Sequence, residues 1–140
     1  MKVCGVDIKG SEAILAVAHL AKGQLSHIAT DTKKIALADD DESANVKSFF
    51  ELVAGFIRDN GIKHMAIKKR GKKGEYAGGP TTFKIEGLLQ MLGNCDVTLV
   101  SPQTIGAHVK KHAFVMPATL NKYQHDAYCT ACTAILKASE

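Results

Sequence analysis

The feature that most limits how this chain can fold is a carboxylate at the end of an apolar strand. Val3, Cys4, Gly5 and Val6 form a run that ends on Asp7, and Lys9-Gly10-Ser11 turns the chain back into a second apolar run, Ala13–Ala18. Two β-compatible runs joined by a short glycine-containing polar turn predict a hairpin. A carboxylate carried into the core by such a strand loses its hydration and must recover it from a cation, a metal or hydrogen-bond donors. Whatever lies across from Asp7 is therefore part of the fold and a candidate for function.

The rest of the chain supplies elements to surround that hairpin. Leu25, Ile28, Ile35 and Leu37 alternate loosely and predict a third antiparallel strand within Gln24–Leu37. The acidic run Asp39–Glu42 predicts a helix start, with Ser43 as its cap. Val46, Phe49, Phe50, Val53, Phe56 and Ile57 then recur at helical spacing, and Gly61 is placed to stop the helix in a left-handed conformation. Ile62–Ile67 reads as a buried strand and Val97–Val100 as another. Between them, Gly71–Pro80 predicts a mobile surface loop, and Pro80 opens a helix carrying Phe83, Leu88, Leu89 and Leu92 up to Gly93. Ser101-Pro102 opens a short helix through about Lys111, and Asn121–Lys137 predicts a last one, rich in small residues. Three leading strands followed by alternating helices and strands specify an α/β fold with a five-stranded mixed sheet, three antiparallel strands then two parallel, flanked by helices.

At 140 residues the chain is read as a single domain, 1–140, large enough to bury a core. Neither a signal-peptide pattern nor an apolar run of membrane-spanning length is present, so the expected location is cytoplasmic, with no membrane partner. In that setting Cys4, Cys95, Cys129 and Cys132 are expected as reduced thiols. His125, Cys129 and Cys132 share one face of the last helix, but mid-helix cysteines among alanines suit close helix packing better than zinc or redox chemistry. The formal net charge is only +4, yet Lys68, Lys69, Arg70, Lys72 and Lys73 fall in one short segment. That concentration predicts an electrostatic footprint for phosphate, whereas Tyr76 and Phe83 alone give little support for base stacking.

The element order, Gly5-Val6-Asp7 at the end of the first strand, and His125-Asp126-Ala127 in the last helix together resemble the ribonuclease H-like fold, and within it the RuvC-type Holliday-junction resolvases of bacteria. The chain is similar, more closely from end to end, to a family of small uncharacterised bacterial proteins of that fold. The resolvase resemblance implies a carboxylate site for Mg or Mn in which Asp7 and Asp126 are ligands. It also implies a Glu where this chain has Lys68, and an Asp where it has Tyr123. Two-metal hydrolysis needs anionic groups that clamp two cations roughly 3.5–4 Å apart, and an ammonium in that cluster repels them. Lys68 is thus expected to pair with both Asp7 and Asp126 in the metal's stead, as a degenerate catalytic site. Glu75, on the glycine-rich loop, is the candidate for an additional ligand, while Glu86 reads as a solvated helix residue.

The first strand and turn are also similar to the phosphate loop of sugar kinases and actin-like ATPases, but those proteins need a second phosphate loop for which this chain has no room. The leading expectation is a domain that binds nucleic acid, or another phosphate-bearing partner, through Lys69, Arg70, Lys72 and Lys73, with little or no hydrolysis and no resident cofactor. The alternatives are a divalent-metal-dependent nuclease with an altered ligand set, using Asp7, Asp126 and Glu75, and a protein-interaction module. A homodimer is a further candidate assembly.

Overall fold

The computed structural model describes residues 1–72 and 78–140. Its centre is β1 (Lys2–Lys9), paired antiparallel with β2 (Glu12–Ala21) along its whole length, Lys9 opposite Glu12 and Lys2 opposite His19. Gly10, at φ +58°, makes the tight reversal, a conformation that costs a residue with a Cβ more than glycine. β3 (Gln24–Ile28) follows through a turn in which both Lys22 and Gly23 have positive φ, the geometry that matches strand twist in a two-residue hairpin.

The predicted third strand is in fact two. β3 and β4 (Lys34–Ala36) pair with opposite ends of the same edge of β2, and the segment between them bulges away, tied by Thr30 Oγ1 donating to Thr32 O at 2.8 Å. The sheet therefore has six strands rather than five, in the order β3-β2-β1-β5-β6 with β4 on β2. The expected division into antiparallel and parallel parts holds: β5 (His64–Lys68) runs parallel to β1, with Val6 beside Ile67, and β6 (Asp96–Val100) runs parallel to β5.

α1 (Ser43–Asp59) and α2 (Pro80–Gln90) cover one face of this sheet. Ser43 does not cap α1: Glu42 is the N-cap and makes no side-chain bond, while Asp39 Oδ1 accepts the Asp41 N–H at 3.2 Å in the preceding turn. The other end of α1 follows expectation. Ile62 N–H reaches Ile57 O at 2.9 Å and Gly61 N–H reaches Arg58 O at 3.2 Å, a Schellman stop with Gly61 at φ +61°.

The opposite face carries α3 (Pro102–His112), capped by Ser101 Oγ accepting from Thr104 N–H at 3.1 Å, and α4 (His125–Ala138). A 3-10 turn, Lys122–Gln124, precedes α4, so the predicted single helix starts with a tighter turn. α4 lies directly on β1. A Cβ placed on Gly5 would fall 1.8 Å from Ala127 O and 2.9 Å from Ala131 Cβ, so glycine at 5 and alanines at 127 and 131 are conditions of this contact. No helix among the described residues is long and apolar enough to cross a membrane.

Candidate nucleic-acid-facing site

The parallel register places Lys68 one strand over from Asp7 at the same level, since Val6 pairs with Ile67 immediately before them. Both positions belong to the sheet face that carries α4, because side chains alternate along a strand and Ile14, opposite Asp7, packs in the α4 cluster. Asp126 arrives in the first turn of α4, where the helix dipole favours a carboxylate. Its position is set by Gln124, which is fully buried and donates from Nε2 to Leu15 O at 2.8 Å while its Oε1 accepts the Asn121 N–H at 3.0 Å. One end of the sheet thus gathers Asp7, Lys68 and Asp126.

Their pairing differs from the expected shared cluster. Lys68 Nζ donates to Asp126 Oδ2 at 3.3 Å, with Lys68 about one-quarter exposed and Asp126 about half. Asp7 is 1% exposed, and among the described residues the cations within 4 Å of it are Lys9, whose Nζ is 3.5 Å from Oδ2, and Arg70, whose Nη1 is 3.8 Å from Oδ1. Both separations are too long for strong hydrogen bonds. Asp7 Oδ2 and Arg70 Nε are correspondingly buried without a hydrogen-bond partner among the described residues. Among the described residues Asp7 is compensated by charge rather than by donors.

Arg70 is therefore drawn inward, away from the exposed role expected for the cationic segment. Its backbone N–H also donates to Glu86 Oε2 at 3.0 Å, and Glu86 is buried, contrary to the reading of it as a solvated helix residue. Because Glu86 shares a helix side with Thr82, Ile85 and Leu89, its burial follows from α2 packing against the strand end. Lys69 and Lys72 remain exposed; Lys73, Glu75 and Tyr76 lie outside the described residues. Gly71 O accepts the Gly78 N–H at 2.8 Å, and the mobile loop expected over Gly71–Pro80 lies for its central part, residues 73–77, outside the described residues. Tyr123, where the resolvase pattern wants a carboxylate, instead holds Lys34 Nζ 5.2 Å from its ring centroid.

Lys9 and Arg70 were the missed partners of Asp7. Lys9 was findable, because two residues along a strand return a side chain to the same face. Arg70 was not, since nothing in a basic run marks which member folds back. The cysteines are buried free thiols apart from the half-buried Cys95. Burial raises the Cys129 thiol, helped by the neighbouring Asp126 and opposed by Lys68, and pushes Cys132 up to about 12. They are protonated packing residues, poor in the thiolate needed for redox or metal chemistry.

Residues 1–134 match the family described as "Protein of unknown function (DUF3010)". The chain belongs to that family. No curated protein matches this DUF3010 member in sequence. Among solved structures it is similar to Thermus thermophilus RuvC, at 14% identity and a TM-score of 0.77 over 99% of this chain and 96% of that one. It is also similar to T. thermophilus RuvC in complex with a Holliday junction substrate, at 15% identity and a TM-score of 0.73, with the same coverage. The Fowlpox virus resolvase bound to Holliday junction DNA matches at 18% identity and a TM-score of 0.56, again over 99% of this chain and 96% of that one. At such identities the likeness establishes the RuvC-type, ribonuclease H-like fold.

Proposed function

We propose that this DUF3010 protein is a ribonuclease H-like domain that binds nucleic acid without hydrolysing it, with its own cations in the place where resolvases of this fold carry metal ions. The observation that carries the reading is the compensation of Asp7 by Arg70 and Lys9, together with that of Asp126 by Lys68. Three cations already surround two carboxylates, so a divalent ion entering there would meet repulsion where a metal site needs excess negative charge. Among the described residues no group of three or more His, Cys, Asp or Glu side chains gathers to hold one. The residues present do not fit the metal pair that the fold family implies.

What the arrangement suits is phosphate. Lys69 and Lys72 are exposed beside a site whose carboxylates are already neutralised, leaving a net cationic rim at the sheet end. The two neighbours solved with Holliday junctions support nucleic acid as the partner class.

The test is a four-way DNA junction titrated by fluorescence anisotropy across a salt series, with and without magnesium or manganese. Binding whose log–log salt slope weakens by about 0.9 for each of Lys69 and Lys72 changed to Ala, with the junction left intact, is the expected result. Metal-dependent cleavage abolished by Asp7→Asn would establish the nuclease reading instead. One observation favours that second reading: among the described residues Asp7 Oδ2 accepts no hydrogen bond and so retains lone pairs for a ligand. Calorimetric titration with manganese separates the two, because Lys68→Glu combined with Tyr123→Asp should bind the ion and the natural chain should not.

A further inference from the structure

The edge of the sheet remote from Asp7 has features that the site leaves unused. Leu20 N–H bonds to Met1 O, so the even-numbered residues of β2 address β1 and the odd ones address β3 and β4, as the Leu15 N–H to Lys33 O bond shows. In the β2–β3 register, Val17 faces Ile28, His19 faces Ser26 and Ala21 faces Gln24. Those three pairs exchange the ladder hydrogen bonds, and the backbone groups of Leu25 and His27 consequently point outward. Among the described residues they have no partner.

Directly along that edge lies a cavity of about 730 Å³, bordered by the consecutive residues Gly23–His27 on one side and by Phe114, Val115 and Pro117 on the other, with Tyr128 and Leu136 of α4 as its floor. His27 holds the far wall in place, its Nδ1 2.7 Å from Thr119 Oγ1. A strand added to β3 would satisfy Leu25 and His27 and direct every second side chain into this apolar floor. Free ligands of other shapes could fill the cavity but not the row of backbone donors and acceptors.

Charge identifies the strand. Neither residues 13–30 nor residues 97–125 contain an Asp or Glu, whereas they contribute Lys22, Lys110, Lys111 and Lys122. The carboxylate of Glu140, from the chain end, is bound to His108 at 3.2 Å. Lys22 adjoins Gly23, and Lys110 and Lys111 adjoin His112, both of which border the cavity, so an acidic occupant would be attracted there, whereas a second copy would bring the same cations and its own net charge of +4. We infer that the β3 edge is a docking site for an extended peptide of a partner protein, alternating apolar and acidic residues, bound as an added strand. This surface is independent of the Asp7 site and does not rest on nucleic-acid binding.

The probe is a short capped peptide alternating Val and Glu, compared with the same peptide carrying Lys for Glu and with a fully N-methylated analogue. Hydrogen exchange followed by NMR should show the Leu25 and His27 amides slowed about tenfold by the Val-Glu peptide, and both analogues should bind at least about tenfold more weakly. Leu25→Pro removes an outward N–H that makes no ladder bond, and it should abolish binding with the circular dichroism spectrum unchanged. Should that variant misfold, Lys110→Glu with Lys111→Glu on the exposed end of α3 should weaken binding at least about threefold. Any of three results overturns the inference: no protection at about 1 mM peptide, equal binding of the Lys analogue, or protection that grows with protein concentration alone, which would make the occupant a second copy.

Discussion

The two faces of the sheet are built from different stock. The face under α1 and α2 is filled by Phe49, Ile57, Met65, Ile67 and Leu89, all essentially inaccessible. The face under α4 uses Ala16, Ala18, Ala66, Ala127 and Ala131 beside Tyr128 and Ile135, and at Gly5 the helix and sheet backbones nearly touch. Large side chains make the first face a source of stability through area removed from water, at roughly 25 cal/mol per Å². Small ones make the second a positioning device: α4 sits so close that its first turn delivers Asp126 to Lys68 at the end of β5. Asp7, Lys68 and Asp126 all belong to the tight face.

That contrast predicts different failures. Phe49→Ala should produce the largest effect on stability, about 3–5 kcal/mol of unfolding free energy in urea, from lost transfer energy plus a cavity. Junction binding by the fraction that remains folded should be unchanged, since Phe49 lies on the far face from the site. A loss of affinity matching the loss of stability would mean that the two faces are not separable.

Gly5→Ala adds a single carbon, yet it collides with Ala127 O and must push α4 away. The expected cost is about 3 kcal/mol, at the upper end for overpacking. Here the site should suffer too: with α4 displaced, the Lys68–Asp126 pair opens, which would appear as loss of their coupling in a double-mutant cycle. If Gly5→Ala costs stability but leaves that coupling intact, Asp126 is placed by Gln124 alone.

How much of this was legible in the sequence follows the same division. The large-residue face was read from periodicity, because Val53, Phe56 and Ile57 of α1 and Met65 and Ile67 of β5 carry strong apolar signals. The split of the predicted third strand was missed because Ala29–Lys33 looks no more polar than an irregular edge strand, and only pairing to both ends of β2 reveals two strands. At the site, the approach of Asp7, Lys68 and Asp126 to one sheet end followed from element order. The partition of cations did not, since Arg70 reaches Asp7 across a strand end and Glu86 is buried by the packing of α2, both outcomes of tertiary geometry.

The smallest predicted effect tests whether the faces are equally dry. Cys4 belongs to the large-residue face and Cys132 to the tight one. Burial pushes the Cys4 thiol from an ordinary 9.0 up to about 12, with Cys95 adding to the rise, and burial pushes Cys132 to a similar value. Below pH 9 both thiols are neutral in the folded and unfolded chains, and the stability they allow is fully present. Above pH 9 the unfolded chain can release these protons while the folded one retains them, so the unfolded state gains and stability falls until about pH 12, where the folded thiols ionise as well. The expected slope between pH 9.5 and 11 is on the order of 1.4 kcal/mol per pH unit for each thiol at most, measured as urea unfolding free energy. Cys4→Ala and Cys132→Ala should each remove a similar part of that slope. If Cys132→Ala removes none of it, the tight face admits water in solution, and the close seat of α4 that positions Asp126 is looser than the contact of Gly5 with Ala127 requires.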